Sequence, residues 1–140
     1  MTAKLSVLRA CKRVLRPHSR LAFFTITVAP GLSKQAHRRA VRAGPPAVGA
    51  RRDSHSLLRQ AGFAQVSESD VTPEYAVTAK AWYDVADRLR DELRPIDPVL
   101  FDEQQRDRRR MLAAVEDGLL RRSLLVATSG AGKAMKRRSS

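Results

Sequence analysis

Three histidines and one cysteine are the residues of this 140-residue chain best suited to ligate a metal or to form a nucleophile and its base. A metal site needs such donors to converge on one ion. His18, His37 and His55 are instead scattered over segments that read as loops and a helix start, and Cys11 stands far from them. They read as surface or turn residues, and no nucleophile, base and orienting acid can be assembled from them. A single cysteine excludes an internal disulfide framework and fits a reducing compartment, so a cytoplasmic location is expected. Thr128-Ser-Gly-Ala-Gly-Lys-Ala134 follows an apolar run, as a phosphate-binding loop would. Such a loop needs a leading glycine and a closing hydroxyl; here Ala127 and Ala134 occupy those places. That excludes a working phosphate loop.

Charge is the other candidate for chemistry. The chain carries 27 Lys and Arg against 14 Asp and Glu, a formal +13. Residues 1–52 hold twelve basic residues and no acid, whereas 53–132 hold eleven basic and fourteen acidic ones. Lys133, Lys136, Arg137 and Arg138 add the rest. The excess therefore belongs to the two ends. Arg106, Arg108, Arg109 and Arg110 alternate with Asp102, Glu103 and Asp107 and read as a solvated, ion-paired helix face. The basic ends suit non-specific contact with nucleic acid. No aromatic residues are interleaved among them, however, and no nucleic-acid module is recognisable, so a small basic nucleic-acid-binding protein is the alternative rather than the leading expectation.

The elements that must position these residues follow from periodicity. Leu5, Leu8, Cys11 and Leu15 recur at helical spacing, and Pro17 stops that helix. Leu21–Val28 is rich in aromatic and β-branched residues and predicts a strand, its near-continuous apolarity suggesting burial on both faces as in parallel sheets. Residues 29–52 read as a long loop with a short helix near Lys34–Arg42. Asp53 or Ser54 caps a helix through Leu57, Leu58 and Ala61, which Gly62 ends in a left-handed cap. Phe63–Thr72 predicts a polar strand suited to a sheet edge. A helix is expected over Ala76–Arg94, with Trp82, Val85, Ala86, Leu89 and Leu93 facing inward. A second starts at Asp97-Pro98 and runs to about Leu119. Ser123–Thr128 predicts an interior strand, and 129–140 a basic disordered tail.

Taken in order, these segments resemble the class I S-adenosylmethionine-dependent methyltransferases. Arg13-Val-Leu-Arg-Pro17 leading into Arg20-Leu-Ala-Phe-Phe24 resembles the turn into that family's strand five, usually "RVL-(K/R)-PGG-x-(L/F)". Leu57-Leu-Arg-Gln-Ala-Gly-Phe63 resembles the helix and entry to strand six. Glu68-Ser-Asp-Val-Thr72, then Tyr75 and Trp82, is similar to the small-molecule branch, in which a helical insertion precedes strand seven. Arg122-Ser-Leu-Leu-Val-Ala127 resembles strand seven itself. The matches run from about residue 5 to 128. His18-Ser19 replaces the turn glycines, where a positive φ would be less comfortable.

The resemblance implies an α/β fold: a partial Rossmann-like methyltransferase sheet of strands five, six and seven with flanking helices. Residues 1–128 form the methyltransferase-like domain, with 29–52 as its long loop and 76–119 as its helical insertion. The family places strand seven, antiparallel, between five and six. The polar and apolar strands point the same way by themselves, the first to an edge and the second to the interior.

It further implies methyl transfer from S-adenosylmethionine to a small molecule, with Thr27, Pro30, Tyr75 and Trp82 as substrate-binding candidates. Thr27 and Pro30 lie at the carboxyl end of the first strand, where α/β sheets bind ligands. Trp82 has a second reading, as the anchor of its helix to the sheet. No G-x-G-x-G occurs in the sequence, so the chain resembles the C-terminal half of such an enzyme without its cofactor half. Three versions are expected to account for this: a fragment whose start lies upstream, a decayed remnant, or a subunit completed by a partner. The edge of 21–28 normally pairs with strand four, and is here expected to be bare and to associate with itself or a partner. No membrane contact is expected.

Overall fold

A computed structural model describes residues 3–46, 48–49 and 53–131. The basic tail from Gly132 onward lies outside them. Among the described residues, six helices and three strands follow in order: α1 (Ala3–Val14), β1 (Arg20–Val28), α2 (Lys34–Ala43), α3 (Ser54–Gln60), β2 (Ala64–Asp70), α4 (Thr72–Arg88), α5 (Arg90–Leu93), α6 (Pro98–Glu116) and β3 (Leu120–Thr128). The three strands form one sheet in the order β1-β3-β2.

The last strand in sequence therefore lies in the middle. It runs against β1: the His18 N–H donates to the Gly130 carbonyl, and the Ser129 N–H to the Ser19 carbonyl, so one partner's number rises as the other's falls. The polar strand β2 takes the outer place. It is largely exposed, and Gln65 within it adopts φ 48, the kind of interruption that discourages further pairing at an edge. The chain has the α/β organisation expected, with β3 central and antiparallel.

The chain divides into two compact units, residues 1–23, 50–69 and 124–140, and residues 24–49 and 70–123. In the first, α1 presents Leu5 and Leu8 to Leu57 and Leu58 of α3, around Phe63, Leu125 and Ala127. Asp53 starts α3 by accepting the Ser56 N–H at 2.7 Å. Gly62, at φ 93, ends it: the Phe63 N–H reaches the Leu58 carbonyl and the Gly62 N–H that of Arg59. This is the paired bonding that a left-handed C-terminal residue makes possible. Ser129 is 2% exposed. Its hydroxyl donates to the Arg16 carbonyl at 2.6 Å and accepts the Ser19 N–H at 3.0 Å, while the Lys12 ammonium donates to its carbonyl. Ser129, expected to open the disordered tail, instead ties the strand end to the turn before β1.

In the second unit, Ala40 of α2 packs with Ala114 and Val115 of α6 and with Leu119 and Leu120. Ile26 and Val28 of β1 and Tyr75 and Ala76 of α4 lie against that cluster. Ser33 caps α2, accepting the Ala36 N–H at 3.1 Å, so a helix fills the middle of the 29–52 stretch.

Four expectations need correction. β1 is not buried on both faces. It sits at a sheet edge with half-buried and exposed residues, and Phe24 is 56% exposed. The single helix expected over 76–94 starts at Thr72 and is interrupted at Leu89, whose φ of −92° and ψ of 15° separate α4 from α5. Its apolar stripe is largely uncovered: Trp82, Val85, Leu89 and Leu93 are exposed and only Ala86 is buried. Finally, α6 stops at Glu116 rather than Leu119. Gly118 takes φ 71, and the Leu119 and Gly118 N–H groups bond back to the Ala114 and Val115 carbonyls.

Candidate functional site

The site is built around the end of β2 and the start of β3, within the second unit. Asp70-Val71-Thr72 closes the polar strand. The Val71 N–H donates to the Arg122 carbonyl at 2.9 Å, and the Arg122 N–H returns a bond to the Thr72 hydroxyl at 3.0 Å. That hydroxyl donates to the Asp70 carboxylate at 2.5 Å, and the Thr72 N–H reaches the same oxygen at 2.9 Å. These two Thr72 bonds, side chain first, hold the Asp70 carboxyl below its ordinary pKa, with Arg121 adding a smaller attraction. The triplet therefore fixes both the exit of β2 and the backbone of Arg122. Pro73 then sits in the first turn of α4, where its missing N–H costs nothing.

β3 begins three residues earlier than its apolar run, and those residues explain the site. Side chains alternate along a strand. Leu120 is buried in the second unit's core, Arg121 is exposed, and Arg122 returns to the side of Leu120. There its guanidinium lies over two rings, 4.3 Å from the Tyr75 centroid and 4.6 Å from that of Phe24. Tyr75 is itself held, its hydroxyl donating to the Met111 sulfur at 3.1 Å.

Two recesses open between α4 and α6. The smaller, about 360 Å³, is lined by Tyr75, Trp82, Gln104, Arg108, Met111 and Leu112 among others. The larger, about 570 Å³, is an open groove with Trp82, Val85, Leu93, Ile96, Leu100 and Phe101 on its walls. Below it, Gln105 is buried and polar: its amide donates to the Tyr83 carbonyl at 3.3 Å and accepts from Arg108 at 2.9 Å. Arg109 caps the Tyr83 hydroxyl at 2.7 Å. The walls are thus apolar and the rim carries arginine.

Of the four sequence candidates, the structure brings two together. Tyr75 and Trp82 line one recess, seven residues apart on α4. Trp82 is 60% exposed, so it does not anchor its helix to the sheet. Thr27 and Pro30 do not line either recess. Thr27 alternates with Ile26 and Val28, which pack in the same cluster as Tyr75, so its side chain points to the other side of β1. Pro30 is exposed in the turn after β1. Phe24, Met111 and Arg122 were missed. The available signal was a cation two residues from Leu120 at the start of an apolar strand, on the same side.

The G-x-G-x-G run that brings backbone against S-adenosylmethionine does not occur in the sequence. That ligand needs glycines whose missing Cβ lets backbone approach it. A Cβ at Gly44 would meet Val48, one at Gly49 would meet Val41 of α2 and one at Gly62 would meet Lys12, while Gly31, Gly118 and Gly130 face open space after β1, before β3 and after β3, so that no two of those three share a turn. No group of histidine, cysteine and acidic residues among the described residues is placed to hold a metal ion. No helix among the described residues is long and apolar enough to cross a membrane.

No family model and no curated protein sequence matches the chain. Solved structures do. A protein assigned as a sarcosine dimethylglycine methyltransferase from Galdieria sulphuraria superposes with a TM-score of 0.67 at 15% identity, over 93% of this chain and 49% of that one. The cyclopropane synthase MmaA2 from Mycobacterium tuberculosis gives 0.67 at 14%, over 89% and 49%. The Haemonchus contortus phosphoethanolamine N-methyltransferase 2, in complex with phosphomonomethylethanolamine and S-adenosylhomocysteine, gives 0.63 at 11%, over 93% and 30%. The chain thus has a methyltransferase-like fold and spans about half or less of the structures it matches.

Proposed function

We propose that this chain is the C-terminal, acceptor-side part of an S-adenosylmethionine-dependent methyltransferase that acts on a small molecule. One observation carries the reading: a chain whose last strand is antiparallel and inserted between two earlier ones superposes on three structures named for methyl transfer or cyclopropanation. The recess of Tyr75 and Trp82 is the proposed acceptor site; Thr27 and Pro30, at the carboxyl end of β1, line neither recess and are left outside it. Cofactor contacts are then made by polypeptide other than these residues, on a partner or on further sequence, docking along the outer edge of β1. In such an enzyme catalysis rests largely on holding two reactants in line. This chain's share is to orient the acceptor and keep water from it. The single half-buried Cys11 suits a reducing, cytoplasmic setting for that chemistry.

The test is the binding of labelled S-adenosylmethionine to the chain alone and to the product of its gene extended upstream in frame. Binding and methyl transfer are expected only with the extension, along with a higher Tm when cofactor is present. Tight binding by the chain alone would overturn the division of labour. No binding by either protein would overturn the methyltransferase reading.

A second reading has one observation in its favour. A recess of about 400 Å³ between α2 and α6 is lined by Arg39, Arg42 and Arg110. Arg39 pairs with Asp117 at 3.1 Å, but no carboxylate among the described residues pairs with the other two. A polyanion-binding protein would use such a surface. It predicts DNA or RNA affinity that falls steeply with salt and no affinity for the cofactor.

A further inference from the structure

Four cation–ring contacts occur among the described residues, involving three arginines. Their hydrogen-bonding edges differ. Arg90 lies 5.4 Å from the Phe101 centroid and donates to the Asp87 carboxylate at 2.7 Å. Arg109 lies 5.6 Å from the Tyr83 centroid and donates to that residue's hydroxyl. In each, a ring steadies the guanidinium and an oxygen satisfies it. Arg122 is held more closely, by two rings at 4.3 and 4.6 Å, and no carboxylate pairs with it. Asp70, the acid nearest in sequence, is engaged by Thr72 and is influenced by Arg121, which points to the other side of β3.

The guanidinium of Arg122 nevertheless remains reachable. Arg122 is half-buried, yet no buried side-chain nitrogen or oxygen lacks a partner among the described residues. Its unpaired N–H groups therefore face solvent. A guanidinium presents five donors in a rigid planar fork that matches the two oxygens of a carboxylate or a phosphate. Stacking against rings removes rotamer freedom beforehand, so less is lost when an anion docks. The position is also suitable, because the start of β3 lies at the carboxyl ends of β1 and β2, where ligands of α/β sheets bind.

We infer that Arg122, steadied by Tyr75 and Phe24, is an oxyanion receptor that grips the carboxylate or phosphate of the methyl acceptor. The word acceptor rests on the function proposed above; the receptor itself does not. Both oxyanions offer paired oxygens to the fork, and the experiment separates them. Tyr75 is then a positioning residue for Arg122 as well as a wall of the recess.

The full chain, in a buffer free of both anions, is titrated with sodium phosphate, sodium acetate and sodium chloride at matched ionic strength. The arginine Nε–Hε resonances are followed by NMR, that of Arg122 being the one lost in Arg122→Lys or, failing that, assigned through the backbone. We expect this resonance to move saturably with phosphate, acetate or both, and not with chloride. The anion that saturates at lower concentration identifies the acceptor's anionic group. Arg122→Gln weakens binding about tenfold or more, as expected for loss of a charge-assisted pair. Arg88→Gln, at an exposed position of α4 outside the recesses, leaves it unchanged. An Arg122 resonance that drifts linearly or equally with chloride overturns the proposal, as does Arg122→Gln with unaltered affinity, or an equal loss in Arg88→Gln. The wild-type titration decides the matter even if the Gln variant fails to fold. Saturable anion binding beside a failed cofactor test would leave the receptor standing and remove only the methyltransferase reading.

Discussion

The two units of this chain bury their side chains very differently. The first is packed: Leu58 and Leu125 are wholly buried, and α1 and α3 turn their apolar stripes inward. The second has a small core of alanines, Val115, Leu119 and Leu120. It leaves Trp82, Val85, Ile96, Val99 and Leu100 exposed along α4, the turn before α6, and α6. Isolated exposed apolar residues are ordinary, but a contiguous set lining a groove marks a surface meant to be covered. The difference teaches that one unit is built for stability and the other for contact. The closely held arginine, the apolar recesses and the arginine-lined cleft all belong to the second.

The sharpest way to break this comparison is to truncate one large side chain in each unit. Leu58→Ala removes a fully buried side chain and is expected to cost about 3 kcal/mol or more, counting the cavity it leaves. Trp82→Ala deletes a larger side chain that is 60% exposed, and is expected to cost less than about 1 kcal/mol. Urea denaturation monitored by circular dichroism measures both. Similar losses in the two variants would mean that the α4–α6 surface stabilises the monomer after all.

The same contrast explains what the sequence could and could not reveal. In the packed unit, residue type and burial agree. Leu5 and Leu8 fall where helical spacing puts them, and Gly62 ends α3 in the left-handed cap that it signals. Gly118 makes the same bonds at the end of α6, but Leu119 and Leu120 follow it and prolong the apolar pattern, so the helix was read three residues too far. Apolar residues in the second unit mislead for a deeper reason. Periodicity shows which side of a helix is apolar, not whether anything covers it, and the stripe of α4 is uncovered. Arg122 heads the segment that resembles strand seven, but its place in a site is not legible there, because residue order does not say which rings lie over a strand. Only the alternation of β3, with Tyr75 brought over it, shows it to be part of the site.

A smaller effect concerns how the first unit's short helix is started. The seven-residue α3 carries Leu57 and Leu58 into the core and depends on Asp53 at its N-terminus. Bonding from the Ser56 N–H is the main cause that holds the Asp53 carboxyl below its ordinary pKa. A carboxyl with a lowered folded-state pKa stabilises above its unfolded value, near 4, and that contribution is lost as pH falls through the folded value. Asp53→Ala is therefore expected to cost about 1 kcal/mol at neutral pH. The difference from wild type should shrink in acid below about pH 4. Thermal melts across pH 2.5–7, a range set by about 1.5 units below and 3 above the ordinary carboxylate value, measure it. A gap that stays constant into acid would assign the cost to helix propensity rather than to the capping carboxylate.

The smallest expected effect is a gain. His18 occupies the turn between α1 and β1 with φ 60, a left-handed conformation that costs an ordinary L-residue about 1 kcal/mol and glycine almost nothing. The turn keeps that shape because its backbone is pinned, with the His18 N–H on the Gly130 carbonyl and the Ser19 N–H on the Ser129 hydroxyl. No hydrogen bond or ion pair of the imidazole offsets the strain among the described residues. His18→Gly should relieve it while making the unfolded chain more flexible, so the net gain is expected to be about 0.5 kcal/mol. Urea denaturation at pH 7 would show a small upward shift of the midpoint at unchanged m. A loss of stability instead would show that the imidazole does hold the turn, and that the packed unit includes this corner through its side chain as well as its backbone.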